Sequence, residues 1–293
     1  LCTGSTFVII KILKFKEISM ESNLIVDSCT DLAEETEDIT RVPFRILIDN
    51  EEIIDENIEL NKLIEKMKNT KQQIMTACAP PDDFISKFKE EANNFVVTIS
   101  SQLSGSYNSA MVAVETFKEK FPESFVHVFD TKSASAGESL IAMKVKQLID
   151  DNINTAEIIE QTNKYISKLR TLFILDSLDN LTKNGRITNL KAILANIMHI
   201  VPIMGEDGEG KIVLKEHVRG KKRAFSRLVD MIAEYNIDFE NTVLGITHVN
   251  CLEKAEKLRD EIMARYPFKD IKIFRSSGLS TIYADDGGIV IAF

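Results

Sequence analysis

The chain has 293 residues, a net charge of −9, and is 44% hydrophobic and 28% charged. That hydrophobic share excludes general disorder, and the acidic balance argues against nucleic acid as a partner, because binding it needs a basic track. The length exceeds one typical domain, so two domains sharing an interface are expected, with a site in the cleft between them.

Residues 1–19 precede Met20-Glu21-Ser22-Asn23-Leu24, a natural start before a strand, and read as a non-native or disordered extension. The apolar run at residues 7–10 is too short for a signal segment, and no later run reaches the roughly 20 apolar residues of a membrane span. A cytoplasmic location is the expectation. From Leu24 the first half alternates short apolar strands with helical patterns, the signature of a parallel α/β layer. The predicted strands are residues 24–26, 44–48, 95–99 and 126–129, with a hairpin excursion over about 43–55 that turns at Asp49-Asn50. A helix follows over residues 60–67, and residues 71–84 read as a loop in which Pro80 and Pro81 exclude helix and Asp82 caps the next one. Thr76 lies in extended chain there and is free to present its hydroxyl.

The strand at 95–99 breaks abruptly into Ser100-Ser101-Gln102-Leu103-Ser104-Gly105-Ser106, and a helix is predicted over 108–120. Such a junction suits a carboxylate or phosphate, since free helix amides and serine hydroxyls converge on one spot. An ordinary serine N-cap is the other reading of the same residues. Two more strands end in small polar residues, Asp27-Ser28-Cys29-Thr30 and Asp130-Thr131-Lys132-Ser133-Ala134-Ser135. Ligands of open parallel sheets bind beyond the carboxyl ends of the strands, so these three termini define one candidate pocket.

The second half begins near residue 171. Residues 172–175 read as a strand, 178–187 as a short helix closed by Gly185, and 189–199 as a buried apolar helix. A hairpin about Asp207-Gly208-Glu209-Gly210 joins strands 200–204 and 211–217; helices over 222–235 and 252–266 alternate with strands 242–247, 271–275 and 288–293. This pattern implies an α+β domain over 171–293 with a mixed or antiparallel sheet and helices on one face, following an α/β domain over 20–170.

Several motifs fail. Gly205 to Lys211 has the GxxxxGK spacing, but Ile212 replaces the hydroxyl residue, three carboxylates crowd the loop, and a strand follows instead of a helix. No GxSxG elbow exists. The cysteines (2, 29, 78, 251) and histidines (127, 199, 217, 248) are scattered, so neither a metal nor a cofactor is expected. The basic cluster Arg219, Lys221, Lys222, Arg223 and Arg227 reads as a solvated helix start or as a docking patch for an acidic partner.

The elements Ile25-Val26-Asp27-Ser28, Thr76 before Asp82-Asp83-Phe84, Ile99-Ser100-Ser101-Gln102-Leu103-Ser104-Gly105-Ser106, Asp130 to Gly137, Leu178-Asp179-Asn180-Leu181 with Gly185-Arg186-Ile187, and Val218 to Ala224 occur in one order along residues 20–293. Together they resemble the DegV family of bacterial fatty-acid-binding proteins. The resemblance implies a two-domain carrier, without catalytic chemistry, that holds one long-chain fatty acid in an apolar tunnel between its domains. It implies that Thr76 and the Ser100-Ser101 pair, Ser101 foremost, contact the carboxylate; Ser28 and Tyr283 are further candidates for the head group or the pocket. It also implies presentation of the acid to a fatty-acid kinase, for which Arg219 matches a docking arginine. Tyr283 stands where kinase-coupled members carry a histidine, with Asp285 and Asp286 beside it, and a phenol cannot supply that histidine's positive charge. Ala77 and Cys78 replace the usual serine and glutamine. The alternative from the residues alone is an enzyme acting on a small acidic or phosphorylated substrate at the same sheet edge. An apolar tunnel favours the carrier, and a short polar cleft favours the enzyme.

Overall fold

The computed structural model describes residues 21–32, 36, 38–187 and 200–293. The extension read at 1–19 and the apolar helix read at 189–199 lie outside them. A parallel sheet of strands β1 (Glu21–Asp27), β2 (Ile39–Val42), β6 (Ala92–Thr98) and β7 (Val126–Asp130) runs in the order β2-β1-β6-β7. Its central strands are buried on both faces, as a parallel sheet between helices requires. Ile25, Val96 and Val128 pack against α2 (Pro81–Ile85) and α3 (Ser106–Lys120), while Leu24, Val26, Phe95 and Val97 face α4 (Ala136–Asp150), which is backed by α5 (Thr155–Lys168).

Three readings are corrected here. Residues 44–48 do not join the parallel sheet: β3 (Arg45–Ile48) pairs antiparallel with both β4 (Glu51–Ile54) and β5 (Met75–Ala77) in a separate small sheet. Pro43 separates β2 from β3 because it has no N–H for a ladder, and β2 itself is a half-exposed edge strand that needs no continuous apolar run. The predicted hairpin turn holds, with Asp49 and Asn50 at φ 49° and 63°. The loop read over 71–84 contains β5, whose Thr76 lies opposite Ile46. Helix α2 starts at Pro81, one residue before the predicted cap Asp82, since the first helical position has no use for the N–H that proline lacks.

A six-stranded mixed sheet follows, in the order β10-β9-β8-β13-β11-β12, made by β8 (Thr171–Ile174), β9 (Ile200–Glu206), β10 (Ile212–Arg219), β11 (Val243–His248), β12 (Asp270–Arg275) and β13 (Ile289–Ala292). Only β11 and β12 pair in parallel. As expected, its own long helices, α7 (Lys221–Ile232) and α8 (Leu252–Met263), cover one face around Ile174, Leu228, Ile246 and Ile291. The opposite face presents Phe173, Met204, Val290 and Ala292 to the core around α4, so α4 is packed between the two large sheets. The short α6 (Asp179–Lys183) ends before Gly185 at φ 75°, the predicted helix stop.

The remaining short helix, α9 (Gly278–Ala284), docks against α1 (Leu60–Asn69) and is held by the first half of the chain: the Asp55 carboxylate accepts the Leu279 N–H at 2.9 Å. A Cβ at Gly278 would stand 2.2 Å from Asp55 Oδ1. Gly278→Ala is expected to lower the urea unfolding free energy by about 1–3 kcal/mol, the usual cost of overpacking a closed contact.

Candidate functional site

The carboxyl ends of β1, β6 and β7 meet the inner face of the mixed sheet around a cavity. Its walls are mainly apolar: Phe44, Ile99, Phe173, Leu175, Ile212 and Val290 are among the lining residues. All three predicted strand termini border it or adjoin it, through Cys29, Ile99 and the Lys132–Ser135 segment.

One corner is polar. The Thr76 hydroxyl lies 2.6 Å from the Tyr283 hydroxyl, and both residues line the cavity. β5 supplies Thr76 and α9 supplies Tyr283, so the two docking events described above assemble this pair. The Arg186 guanidinium sits 5.6 Å from the Tyr283 ring centroid and is held by the Leu103 and Asn184 carbonyls. Arg186 was missed as a candidate. The signal was the helix-stopping Gly185, which turns the chain so that the next residue leaves the helix. Ser104 completes the lining on this side.

The serine turn is differently engaged. Ser101 donates from its hydroxyl to Asp130 Oδ2 at 2.5 Å and from its N–H to Oδ1 at 3.0 Å. Ser100 is fully buried and donates to the Gly210 carbonyl at the tip of the β9–β10 hairpin. Gly210, at φ 89°, lies so close that a Cβ would stand 2.3 Å from Ser100 Oγ. Neither serine lines the cavity, although the turn they begin continues into Leu103 and Ser104, which do. The strand-to-helix junction does hold an acid, and that acid is internal. Asp27 Oδ2 accepts the Ile99 N–H at 3.0 Å and the Ser106 hydroxyl at 2.6 Å, while Oδ1 accepts the Cys29 N–H. Ser28 stands outside the cavity lining; its hydroxyl accepts from the Phe44 N–H and donates to Asp55. Arg219 is exposed at the end of β10, before α7, and is also not part of the wall.

Behind the wall lies a set of buried acids. Asp31 accepts the Ser135 and Thr247 hydroxyls and the Ser277 N–H, tying the first half of the chain to β11 and to the start of α9. Burial raises Asp27 and Asp31 above the ordinary carboxylate range, against the pull of those hydrogen bonds. Burial also pushes the Cys29 thiol well up, helped by the acidic groups around it, so it stands in the wall as an unreactive thiol.

A family described as an uncharacterised protein of the DegV family matches residues 22–293. The chain belongs to the DegV family. Among its DegV relatives, a DegV domain-containing protein of Streptococcus gordonii is 34% identical over 266 residues, covering 90% of this chain and 93% of the relative. The crystal structure of a DegV family protein from Ruminococcus gnavus, with vaccenic acid, is 35% identical with a TM-score of 0.89, covering 94% of this chain and 100% of the other. The Streptococcus pneumoniae fatty acid kinase (Fak) B3 protein, loaded with linoleic acid, is 28% identical with a TM-score of 0.87, covering 94% and 99%. No helix among the described residues of this DegV chain is long and apolar enough to cross a membrane.

Asp55 carries a pH dependence that reaches the site through α9. Burial pushes its carboxyl from 3.8 up to about 6, against the hydrogen bonds from Ser28 and Leu279. Between those values the folded chain keeps a proton that the unfolded chain has released, so this group's contribution to stability is complete below about pH 4 and is lost as pH rises through about 6. The size corresponds to roughly 3 kcal/mol. Chemical denaturation from pH 4.5 to 7.5 should therefore show the wild-type chain losing stability relative to Asp55→Asn; parallel curves would refute the assignment.

Proposed function

We propose that the chain binds one long-chain fatty acid in the interdomain cavity and acts as a non-catalytic carrier, with the acyl tail against the apolar walls and the carboxylate at the Thr76–Tyr283–Arg186 corner. The observation that carries this reading is the pairing of that polar corner with an otherwise largely apolar cavity. Burying a sixteen-carbon tail at roughly 0.8 kcal/mol per CH₂ supplies a gross driving force on the order of 10 kcal/mol before the entropy of binding is charged. The tail thus accounts for affinity and the corner for orientation. A carboxylate leaving water needs two or three donors, which the two hydroxyls and the guanidinium can provide.

Ser101 and Ser100 remain part of the proposal, as the family resemblance implies. Their part is indirect in this geometry: Ser101 holds the turn through Asp130 and Ser100 holds it through Gly210, and the turn carries Ser104 and the carbonyl that grips Arg186. Ser28 acts further back, through Asp55 and α9. The domain division at about residue 170 belongs to the same reading and is supported by the strand distribution, β1–β7 in two sheets and β8–β13 in the third. The likeness to the Fak B3 protein supports a further step in which a fatty-acid kinase receives the carboxylate, with Arg219 as a docking residue. The apolar cavity favours the carrier over an enzyme for small acidic substrates.

Mass spectrometry of the native protein, followed by organic extraction, tests the reading directly: a stoichiometric C14–C18 acid is expected. No bound lipid and no saturable uptake of added palmitic acid would overturn it. Thr76→Val combined with Ser101→Ala is expected to weaken palmitic acid binding by about tenfold or more with an unchanged circular dichroism spectrum, as loss of one polar contact to a buried charge and of the bond that holds the serine turn to Asp130 requires. Unchanged occupancy would remove both residues from the head-group assignment.

A further inference from the structure

Glu138, in the first turn of α4, is fully buried, and neither of its carboxyl oxygens receives a hydrogen bond from a described residue. A buried carboxylate without donors is strongly unfavourable, and native proteins leave such groups unpartnered rarely. What faces it is another acid. The Asp27 carboxyl lies within hydrogen-bonding reach, the Cys29 thiol is turned toward it, and Asp31 adds a second negative charge farther along the same strand end. The donors of the region converge on Asp27: one N–H reaches Oδ1, and one N–H and one hydroxyl reach Oδ2.

We propose that Glu138 stands as a carboxylic acid that donates a hydrogen bond to Asp27, leaving Asp27 to carry the single charge and to hold the Cys29, Ile99 and Ser106 segments of the cavity wall in register. Glu138 is then a positioning residue for the head-group turn, acting through Asp27 and touching no ligand. The asymmetry in donors decides which acid keeps the proton. Three donors stabilise charge on Asp27, whereas Glu138 has no N–H or hydroxyl donor and only the weak Cys29 thiol turned toward it. The amino end of α4 favours an anion by only about 0.3–1 kcal/mol. Burial and the Asp27 charge oppose it and push Glu138 well above the ordinary carboxylate range, while the contact with Glu138 pulls Asp27 down. With an acid at 138 the pair needs no cation, which suits a wall built around an apolar ligand.

The inference rests on the fatty-acid reading only for its binding readout, so the experiment has two independent arms. Hydrogen–deuterium difference infrared spectra at pH 7.5 are expected to contain a protonated-carboxyl band in the wild-type chain that disappears in Glu138→Gln. Glutamine keeps a donor toward Asp27, and its amide protection at Cys29 and Ile99 should match wild type. Glu138→Leu removes the donor; faster exchange of the Cys29 and Ile99 amides and palmitic acid binding weaker by about tenfold are expected, the scale set by one unsatisfied buried charge contact. Absence of a band component lost in Glu138→Gln overturns the proposal whether or not the protein binds lipid. Wild-type exchange and binding in Glu138→Leu would overturn the positioning role. If Glu138→Leu fails to fold, the Glu138→Gln spectra and exchange rates still decide. A wild-type chain that binds no palmitic acid would refute the carrier reading, while the infrared and exchange results would continue to judge this one.

Discussion

The site depends on a carboxylate placed where the backbone has donors to spare. At the carboxyl edge of a parallel sheet the ladder ends, and N–H groups just past each strand need partners. Asp27 supplies them for two strand ends and also accepts the hydroxyl at a helix start, joining the residues after β1, the residues after β6 and the first residue of α3. Asp31 and Asp55 extend the same device across to α9. Acids used in this way connect elements without cations, and an Asp can do so because it accepts at several positions from one short side chain.

This arrangement explains why Ser100, Ser101 and Ser106, in a turn so rich in hydroxyls, do not themselves face the cavity. Their donors are spent on Asp27, Asp130 and Gly210. The polar surface left to a ligand comes from elements brought in from elsewhere, β5 and α9, together with the loop after α6. A shallow division of labour results: the serine turn fixes the shape of one end of the cavity, and Thr76, Tyr283 and Arg186 give that end its chemistry.

Much of the fold was legible because its strands are short, β-branched and separated by clear breaks; Leu24–Val26 and the Phe95 run could be little else. The mixed sheet was legible from the hairpin at Asp207–Gly210. Residues 44–48 misled because an apolar run looks the same in a central parallel strand and in a small antiparallel sheet, and the decisive element was Pro43, whose effect depends on what lies beside it. β5 was hidden because three residues carry no periodicity. At the site, Thr76 and Tyr283 were named from pattern and resemblance, yet their contact spans 207 positions and no local signal encodes it. Arg186 and Glu138 escaped for the same reason: a charged residue near a helix end reads as solvated surface until the packing around it is known.

The strand order of the mixed sheet has a kinetic consequence. β13 follows every other strand along the chain, yet it lies between β8 and β11, with the edge pairs built outward on either side. The sheet therefore cannot close while the chain is still emerging in order; β8–β10 and β11–β12 can form only as two separate pieces with unpaired inner edges. Val290, which lines the cavity, arrives with the strand that joins them. Closure of the sheet and completion of the cavity are thus a single late event, and the chamber has no finished wall until that event is over.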